Sequence, residues 1–452
     1  MICVSISRYL PMVKSKIIAG IDVGSSKTAT VIASASEEEE KLKVIGVASV
    51  PSKGMRKGQI VNIEEAAEGV IDSVESAERM AGYNLSRALV SVGGPHIASQ
   101  NSKGVVAVAE PEGEINNEDV NRVIEAARAV SLPSSREVVH VIPRDFTVDG
   151  QEGIKDPVGM SGIRLEVETH IITGSTTAIR NLVKCVSEVG ADVQSLVTAG
   201  LASAESVLTE TEKELGVVLV DIGGGTTDIV IFIEGAPFYA AVLPIGAKNV
   251  TNDIAIGLRL SLDAAEKIKL DLSKSKKKPV LPGEMKSKAK EEKEDDLNKK
   301  DEDEIDLKEL NIEEETKSVS RKTLTEGIIK PRLNEIFTLV GAEIKKSGAA
   351  GLTPSGIVIC GGGAQTVGIV DSAKRTLAMP VRIGIPQGVG GLIDDVETPD
   401  FATAIGLVLY GVRTEVSPGT SFSFTQIGKR LQKIPVRGVA GKLINVVKSF
   451  LP

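Results

Sequence analysis

Two aspartates, Asp22 and Asp221, each end an apolar run rich in β-branched residues and stand just before a tip of glycine and hydroxyl residues. In VVLVDIGGGTTDIVIFI (Val217–Ile233) the acid is followed by Gly223, Gly224, Gly225, Thr226 and Thr227. In IIAGIDVGSSKTATVI (Ile17–Ile32) it is followed by Gly24, Ser25, Ser26 and Lys27. Glycines at such a tip are expected to adopt positive φ and leave no Cβ in the way of a ligand. Successive backbone N–H groups can then face one concavity that suits an anion, with the hydroxyls as added donors. A carboxylate at the strand end can hold a divalent ion or its waters. One glycine turn alone could equally be a plain connection, but the order acid, any residue, glycine, polar tip occurs twice, which points to two similar half-molecules facing each other. If both tips face one cleft, a polyphosphate bridged by Mg²⁺ between Asp22 and Asp221 is a natural occupant. A third cluster, Gly361, Gly362, Gly363 and Ala364, follows the apolar run Gly356–Cys360 and would let the backbone lie flat against a ring or ribose.

The elements around these tips read as α/β. Val218–Val220 and Ile229–Ile233 have the length and composition of buried strands in a hairpin. Ile63–Ala81 repeats apolar residues at helical spacing and is expected to cover the first sheet. From Ser86 to about Gly162 short strands and a helix with an Asn/Asp-rich start, Asn116–Val130, suggest an inserted small α/β unit. Leu262–Leu272 is a predicted helix with Glu266 and Lys269 one turn apart on one face. Ser273–Ser320 is a run of Lys, Glu and Asp with too few apolar residues to offset its ordering entropy, and within it Ile305–Ile312 is expected to form at most a transient helix. A long helix, Lys322–Lys346, follows, with Pro331 near a kink or first turn, a core stripe from Ile328 to Ile344, and Arg332 and Glu335 facing away. Val412–Gly438 reads as a flexible linker. In VAGKLINVVKSFL (Val439–Leu451), Leu443, Val447, Phe450 and Leu451 fall on one side and Lys442 and Lys448 on the other, a pattern suited to the interface of an anionic bilayer; docking in a partner groove or on the protein itself stays open.

The 452 residues predict two or more domains, and 42% hydrophobic residues suffice for sizeable cores. A net charge of −8 gives no indication of a nucleic-acid partner. Cys3, Cys185 and Cys360 are too widely spaced for a disulfide framework or a zinc site, and His96, His140 and His170 have strand or turn settings that do not suit a metal. No apolar run reaches the ~18 residues of a membrane span. Met1–Leu10 is short and apolar, but Pro11 and the lack of a small-residue cleavage pattern argue against a signal peptide; Met12 opens MVKSKIIAGIDVG, and the native start is expected there. There is no GxxxxGK[ST], and the glycine runs do not fit a GxGxxG that opens a helix.

The three loops, in this order, resemble the phosphate-1, phosphate-2 and adenosine motifs of the actin/DnaK-type chaperone/sugar-kinase ATPase superfamily. REVVHVIPRDFTVDGQEGIKDPVGMSGIRLEVETHIITG, AGLASAESVLTETEKELGVVLVDIGGGTTDI, LTEGIIKPRLNEIFTLV and MPVRIGIPQGVGGLIDDVETPDFATAIGLVLYG narrow the likeness to the FtsA family of bacterial cell-division actin homologues, over most of Ile17–Gly411. The resemblance implies an actin-like ATPase fold of two similar domains around a nucleotide cleft, with a subdomain 1C in place of actin's 1B. It implies subdomain 1A over 16–85 and 163–200, 1C over 86–162, 2A over 201–250 and 351–411 with the return to 1A, and 2B over 251–350 with a disordered charged insertion at 274–320. A linker over 412–438 and a membrane-targeting helix over 439–452 complete it. It implies ATP and Mg²⁺ as ligands, with Glu266 and Lys269 at adenine and ribose. As partners it implies the C-terminal tail of the tubulin-like division protein FtsZ near Arg332 and Glu335, further copies of the chain in a filament, the anionic inner face of the cell membrane at the division site, and later division proteins through 1C. In the superfamily a Glu or Gln before the second phosphate loop orients the attacking water. Here the matching place falls near Thr198–Ala199, with Glu205 about two turns away, so no catalytic residue is assigned and at most a slow ATPase is expected. An actin-like pilus-assembly or cell-shape protein, or a small-molecule kinase of the same superfamily, are the other readings.

Overall fold

The structure, a computed structural model, describes residues 16–35, 42–109, 113–274, 304–308, 310–312, 318–392 and 394–416. The sequence-predicted start at Met12 and the terminal segment with Lys442, Leu443, Val447, Lys448, Phe450 and Leu451 lie outside them.

Two sheets of matching topology carry the two halves. In the first, Lys16–Val23 pairs antiparallel with Lys27–Ala35, and Lys27–Ala35 with Leu42–Pro51. On its other side Lys16–Val23 runs parallel to Arg87–Val92, which runs parallel to Asp192–Thr198. In the second, Val217–Ile222 pairs antiparallel with Thr227–Ile233 and the latter with Ala236–Leu243, while Ile357–Cys360 and then Val381–Ile383 add in parallel. The repeated acid-glycine pattern is therefore a repeated meander plus two parallel strands. Both faces of the central strands are covered, so Val217–Ile222 is buried at every position, as its unbroken apolar run requires.

Helix Ile63–Ala81 covers the first sheet. Asn62 starts it by accepting hydrogen bonds from the N–H groups of Glu64 and Glu65, and Gly82, at φ 66°, ends it. Separate apolar cores fill the first half, the second half and the inserted unit. The inserted unit's core gathers Ile115, Val123, Ile124 and Ala127 against Leu165, Val167 and Ile171. This corrects its expected span of 86–162. Arg87–Val92 is a strand of the first sheet, whereas Arg164–Ser175 pairs with both Ala98–Ala107 and Arg136–Val148 of the inserted unit. A short apolar strand gives no local sign of which sheet it joins.

The charged insertion also needs correction. Glu304–Asp306 is a strand, not a helix, and pairs antiparallel with Ser318–Ser320. Ile305, Leu307 and Ile312 are buried in the second-half core, so the stretch 274–320 is not uniformly a solvated loop. In the long helix, a π turn at Thr325–Ile329 leads into Lys330–Lys346. Pro331 has no N–H to give to the preceding turn, and the widened turn precedes it directly. No described helix is long and apolar enough to cross a membrane.

Candidate functional site: a cleft between two glycine hairpins

The two hairpin tips are built alike. The Gly24 N–H bonds to the Lys27 carbonyl at 3.0 Å, and the Gly223 N–H to the Thr226 carbonyl at 2.9 Å. The glycines do their work differently from the expectation. Backbone φ is positive at Gly361 (80°) but not at Gly24 or Gly223–Gly225. Their role is close approach, since a Cβ on Gly224 would lie 1.9 Å from Ser26 Oγ of the opposing tip. The lobes thus meet tip to tip. Lys248, from the second half, reaches across to donate to the Ser25 carbonyl at 2.7 Å.

Between the tips and the third loop lies a cavity of about 350 Å³. Asp22, Gly24, Ser25, Ser26 and Lys27 line it from the first half, and Asp221, Gly223, Gly224 and Thr226 from the second. Glu266, Lys269, Gly361, Gly362 and Gly363 complete the predicted set that reaches it. Three predicted residues do not line it. Thr227 turns its hydroxyl to the Ile245 carbonyl at 2.8 Å, Gly225 packs against Ser25 and Lys57, and Ala364 belongs to the second-half core. Glu266 and Lys269 form an ion pair at 2.7 Å that also embraces the Thr251 hydroxyl, at 2.5 and 3.0 Å. Gly361–Gly363 is crowded by its own chain, because a Cβ on Gly361 would lie 2.2 Å from Asp221 Oδ1.

The cavity floor is acidic. Asp22 accepts a hydrogen bond from Ser91 Oγ at 2.6 Å, and Asp221 accepts one from Thr403 Oγ1 at 3.1 Å and another from Ser203 Oγ. Asp228, which the sequence reading passed over, lies directly opposite Asp221 in the hairpin register and lines the same cavity. Burial raises all three carboxyls above their ordinary range. Asp221 reaches about 6, with the nearby charge of Asp22 adding to burial, and Asp228 rises well above the usual value, with Asp221 and Asp22 adding to burial. Buried carboxylates that resist ionisation together are stabilised by a cation among them. Among the described residues no group of His, Cys, Asp or Glu is arranged to enclose a metal by itself. That donor set fits Mg²⁺, which keeps waters and takes one or two carboxylates plus substrate phosphates.

The sequence reading also passed over Ser91, Gln365, Asp400 and Thr403, which are among the lining residues, and Ser203, which bonds Asp221 beside the cavity. Asp400 and Thr403 come from distant chain segments that no local pattern marks, whereas Gln365 directly follows the predicted Ala364 and Ser203 lies 18 positions before Asp221. Glu205, the nearest acid to the expected water-orienting place, instead pairs with Arg413 at 2.9 Å and Lys213 at 3.8 Å. Arg332 is not a free cation. Its guanidinium takes Asp253 at 2.5 and 2.8 Å and also pairs with Glu335. The histidines are structural acceptors or buried polar groups: His140 Nε2 accepts the Thr198 N–H at 3.1 Å, His170 Nδ1 pairs with Asn101 Oδ1 at 2.7 Å, and His96 Nδ1 accepts the Ser175 N–H at 3.3 Å.

Comparison with known proteins places this architecture. Residues 94–173 match the family model SHS2_FTSA, described as the SHS2 domain inserted in FTSA, and residues 218–406 match FtsA, described as cell division protein FtsA. The cell division protein FtsA of Pseudomonas aeruginosa is 40% identical over 409 residues, covering 90% of this chain and 92% of that one. Its counterpart in Bacillus subtilis is 35% identical over 425 residues, covering 94% and 90%. Among solved structures, a type IV pilus biogenesis PilM–PilN complex superposes with a TM-score of 0.59 at 16% identity, covering 87% of this chain and 98% of that one, a likeness of fold. The architecture is the actin-like ATPase fold.

Proposed function

The chain belongs to the FtsA family of cell-division proteins, and from that premise we propose that it binds Mg·ATP between its lobes, assembles into filaments and tethers FtsZ filaments to the inner face of the cytoplasmic membrane at the division site. The inserted unit is the surface for later division proteins. The observation that carries the nucleotide reading is the convergence of three glycine loops and three buried carboxylates on one cavity. The glycine tips and Lys27 receive the phosphates, while Asp22, Asp221 and Asp228 hold Mg²⁺ or its waters. The cation supplies charge neutralisation at the phosphates and relieves the mutual repulsion of the carboxylates. Glu266 and Lys269 stand where the adenosine end would lie. Glu205, the acid nearest the expected water-orienting place at Thr198–Ala199, is held in ion pairs with Arg413 and Lys213, which supports ATP as a conformational ligand with slow turnover at most.

The acidic FtsZ tail is assigned to the face of helix Lys330–Lys346, where Arg332 and Glu335 would have to exchange their present partners for it. The membrane contact is assigned to the terminal segment through Leu443, Val447, Phe450 and Leu451 with Lys442 and Lys448. Apolar burial contributes roughly 1.5–3 kcal/mol per fully buried large side chain, and each lysine about 1 kcal/mol on an anionic surface. One short helix binds only moderately after the cost of forming it. A filament of linked copies binds firmly.

The test is co-sedimentation of the full chain with FtsZ filaments and anionic vesicles, with and without Mg·ATP. All components should pellet together, ATP should strengthen the lipid component, and Phe450→Glu should release it. Asp221→Ala should abolish binding of a fluorescent ATP analogue with an unchanged far-UV circular dichroism spectrum. Undiminished ATP affinity in that variant sinks the nucleotide reading, and undiminished lipid binding by Phe450→Glu sinks the anchor.

A further inference from the structure

Lys27 opens the strand Lys27–Ala35 at the first glycine tip. Its partner comes from 373 positions away. Asp400 lies in the short turn Pro399–Phe401 that leads into helix Ala402–Val416, and its Oδ2 is 2.5 Å from Lys27 Nζ. The other oxygen, Oδ1, accepts a hydrogen bond from Gln365 Nε2 at 2.9 Å. The backbone repeats this link, because the Gly361 N–H donates to the Pro399 carbonyl at 2.9 Å. The carboxylate is thus fastened to the third glycine loop before it meets the lysine. The next residue of the same turn adds an aromatic ring, with Lys27 Nζ 3.8 Å from the centroid of Phe401. Burial alone would raise the Asp400 carboxyl, but the Lys27 charge and hydrogen bonds from Lys27, Thr398 and its own backbone outweigh it and leave it below the usual carboxylate range. Lys27, Asp400 and Gln365 all line the cavity that holds Asp22 and Gly24. An ammonium has three donors, and Asp400 takes one.

We propose that Asp400, fixed by Gln365, is the positioning residue that aims the Lys27 ammonium at the β- and γ-phosphates of a nucleotide in this cleft. This rests on the nucleotide-binding reading above. A lysine on a flexible stem presents a point charge, and fixing its place before the ligand arrives removes ordering cost from binding. The pair joins the first glycine tip, the third glycine loop and the turn ahead of helix Ala402–Val416 around one cation. The consequence is selective: ligands with a polyphosphate depend on the pair, and a ligand with only an α-phosphate does not.

The experiment is calorimetric titration of the full chain in Mg²⁺ with ATP and with AMP, for wild type, Asp400→Asn, Asp400→Glu, Lys27→Gln and the double variant Lys27→Gln/Asp400→Asn. Asp400→Asn should weaken ATP by about tenfold, the scale of one hydrogen bond to a charged group, and change AMP by less than about twofold. Asp400→Glu should recover most of the ATP affinity. The double variant should bind ATP no more weakly than Lys27→Gln alone, because the carboxylate acts only through the lysine. Unchanged or tighter ATP binding by Asp400→Asn overturns the proposal, the latter by showing that the carboxylate competes with phosphate. Equal weakening of ATP and AMP also overturns it, by reducing Asp400 to a structural prop. If Asp400→Asn fails to fold, equal losses of ATP and AMP in Lys27→Gln decide against it in the same way. A wild-type chain that binds no ATP overturns the nucleotide reading itself, an outcome distinct from any variant result.

Discussion

His140 shows what a single buried ring does to the pH response of the protein. It is held neutral because burial pushes its pKa down from 6.5 to about 4, and its Nε2 accepts the Thr198 N–H next to the cleft. Between those two values the unfolded chain binds a proton that the folded chain refuses, so stability rises with pH across the window and is lost as pH falls from 6.5 towards 4. The shift corresponds to about 3 kcal/mol at full extent. His140→Gln keeps an acceptor for Thr198 but cannot titrate, so the fall in urea midpoint from pH 7.5 to pH 5 should be smaller in the variant than in wild type. Equal falls would show that the ring does not stay neutral on folding. His170, pushed to about 3, acts in the same direction in both proteins, and Asp221, raised to about 6, acts in the opposite one, so the comparison is between proteins at matched pH. Residue partnerships of this kind were only partly legible in the sequence. Asp22 and Asp221 announce themselves by repetition, and Asp228 follows from counting the hairpin register. Asp400 and Thr403 reach the site through chain segments nearly two hundred or more positions from their partners, and only the fold brings them there.

Elements were read well where an apolar period ran unbroken and poorly where charge hid it. Helix Ile63–Ala81 has the predicted bounds, and helix Leu262–Ser273 differs by one residue. The charged stretch before Arg321 conceals Ile305, Leu307 and Ile312 among acids and lysines, and these side chains are buried in the second-half core. Composition averaged over the whole stretch cannot show that a few of its residues are buried. Burial of such side chains contributes roughly 1.5–3 kcal/mol each as an upper range. Removing 304–317 should therefore lower the melting temperature by about 10 °C or more, given some 2–4 °C per kcal/mol for a protein unit of ~150–250 residues. Removing only 275–303, where the sequence offers little apolar surface, should leave it within about 2 °C. Differential scanning calorimetry of the two deletions separates the cases, and equal melting temperatures would return the whole insertion to the solvated reading.

At the scale of the molecule, the duplicated sheets make two lobes, and the inserted unit ties them together from outside the cleft. By chain order that unit belongs to the first half, between strands Arg87–Val92 and Asp192–Thr198. By hydrogen bonding it extends the sheet of the second half, through the single register pair Ala241↔Ala98. Ser99 secures the join, since its Oγ donates to the Ala240 carbonyl at 2.8 Å and accepts the Ala240 N–H at 2.9 Å. Lys155 adds a bond to the Glu234 carbonyl at 2.6 Å, and the Arg144 guanidinium lies 4.8 Å from the Phe238 ring centroid. On its other side the same unit touches the first half through His140 and Thr198, so any hinge motion of the lobes about a ligand must load this bridge. So few bonds at a sheet edge open locally far more readily than the central strands. Ser99→Ala removes two of them, about 1–2 kcal/mol in all, and should speed hydrogen exchange of the Ala240 amide by about tenfold while leaving the Leu219 amide of the buried central strand unchanged. Exchange that accelerates equally at both amides would mean that Ser99 supports the global fold, and exchange unchanged at Ala240 would mean that the lobes are not joined through this serine at all.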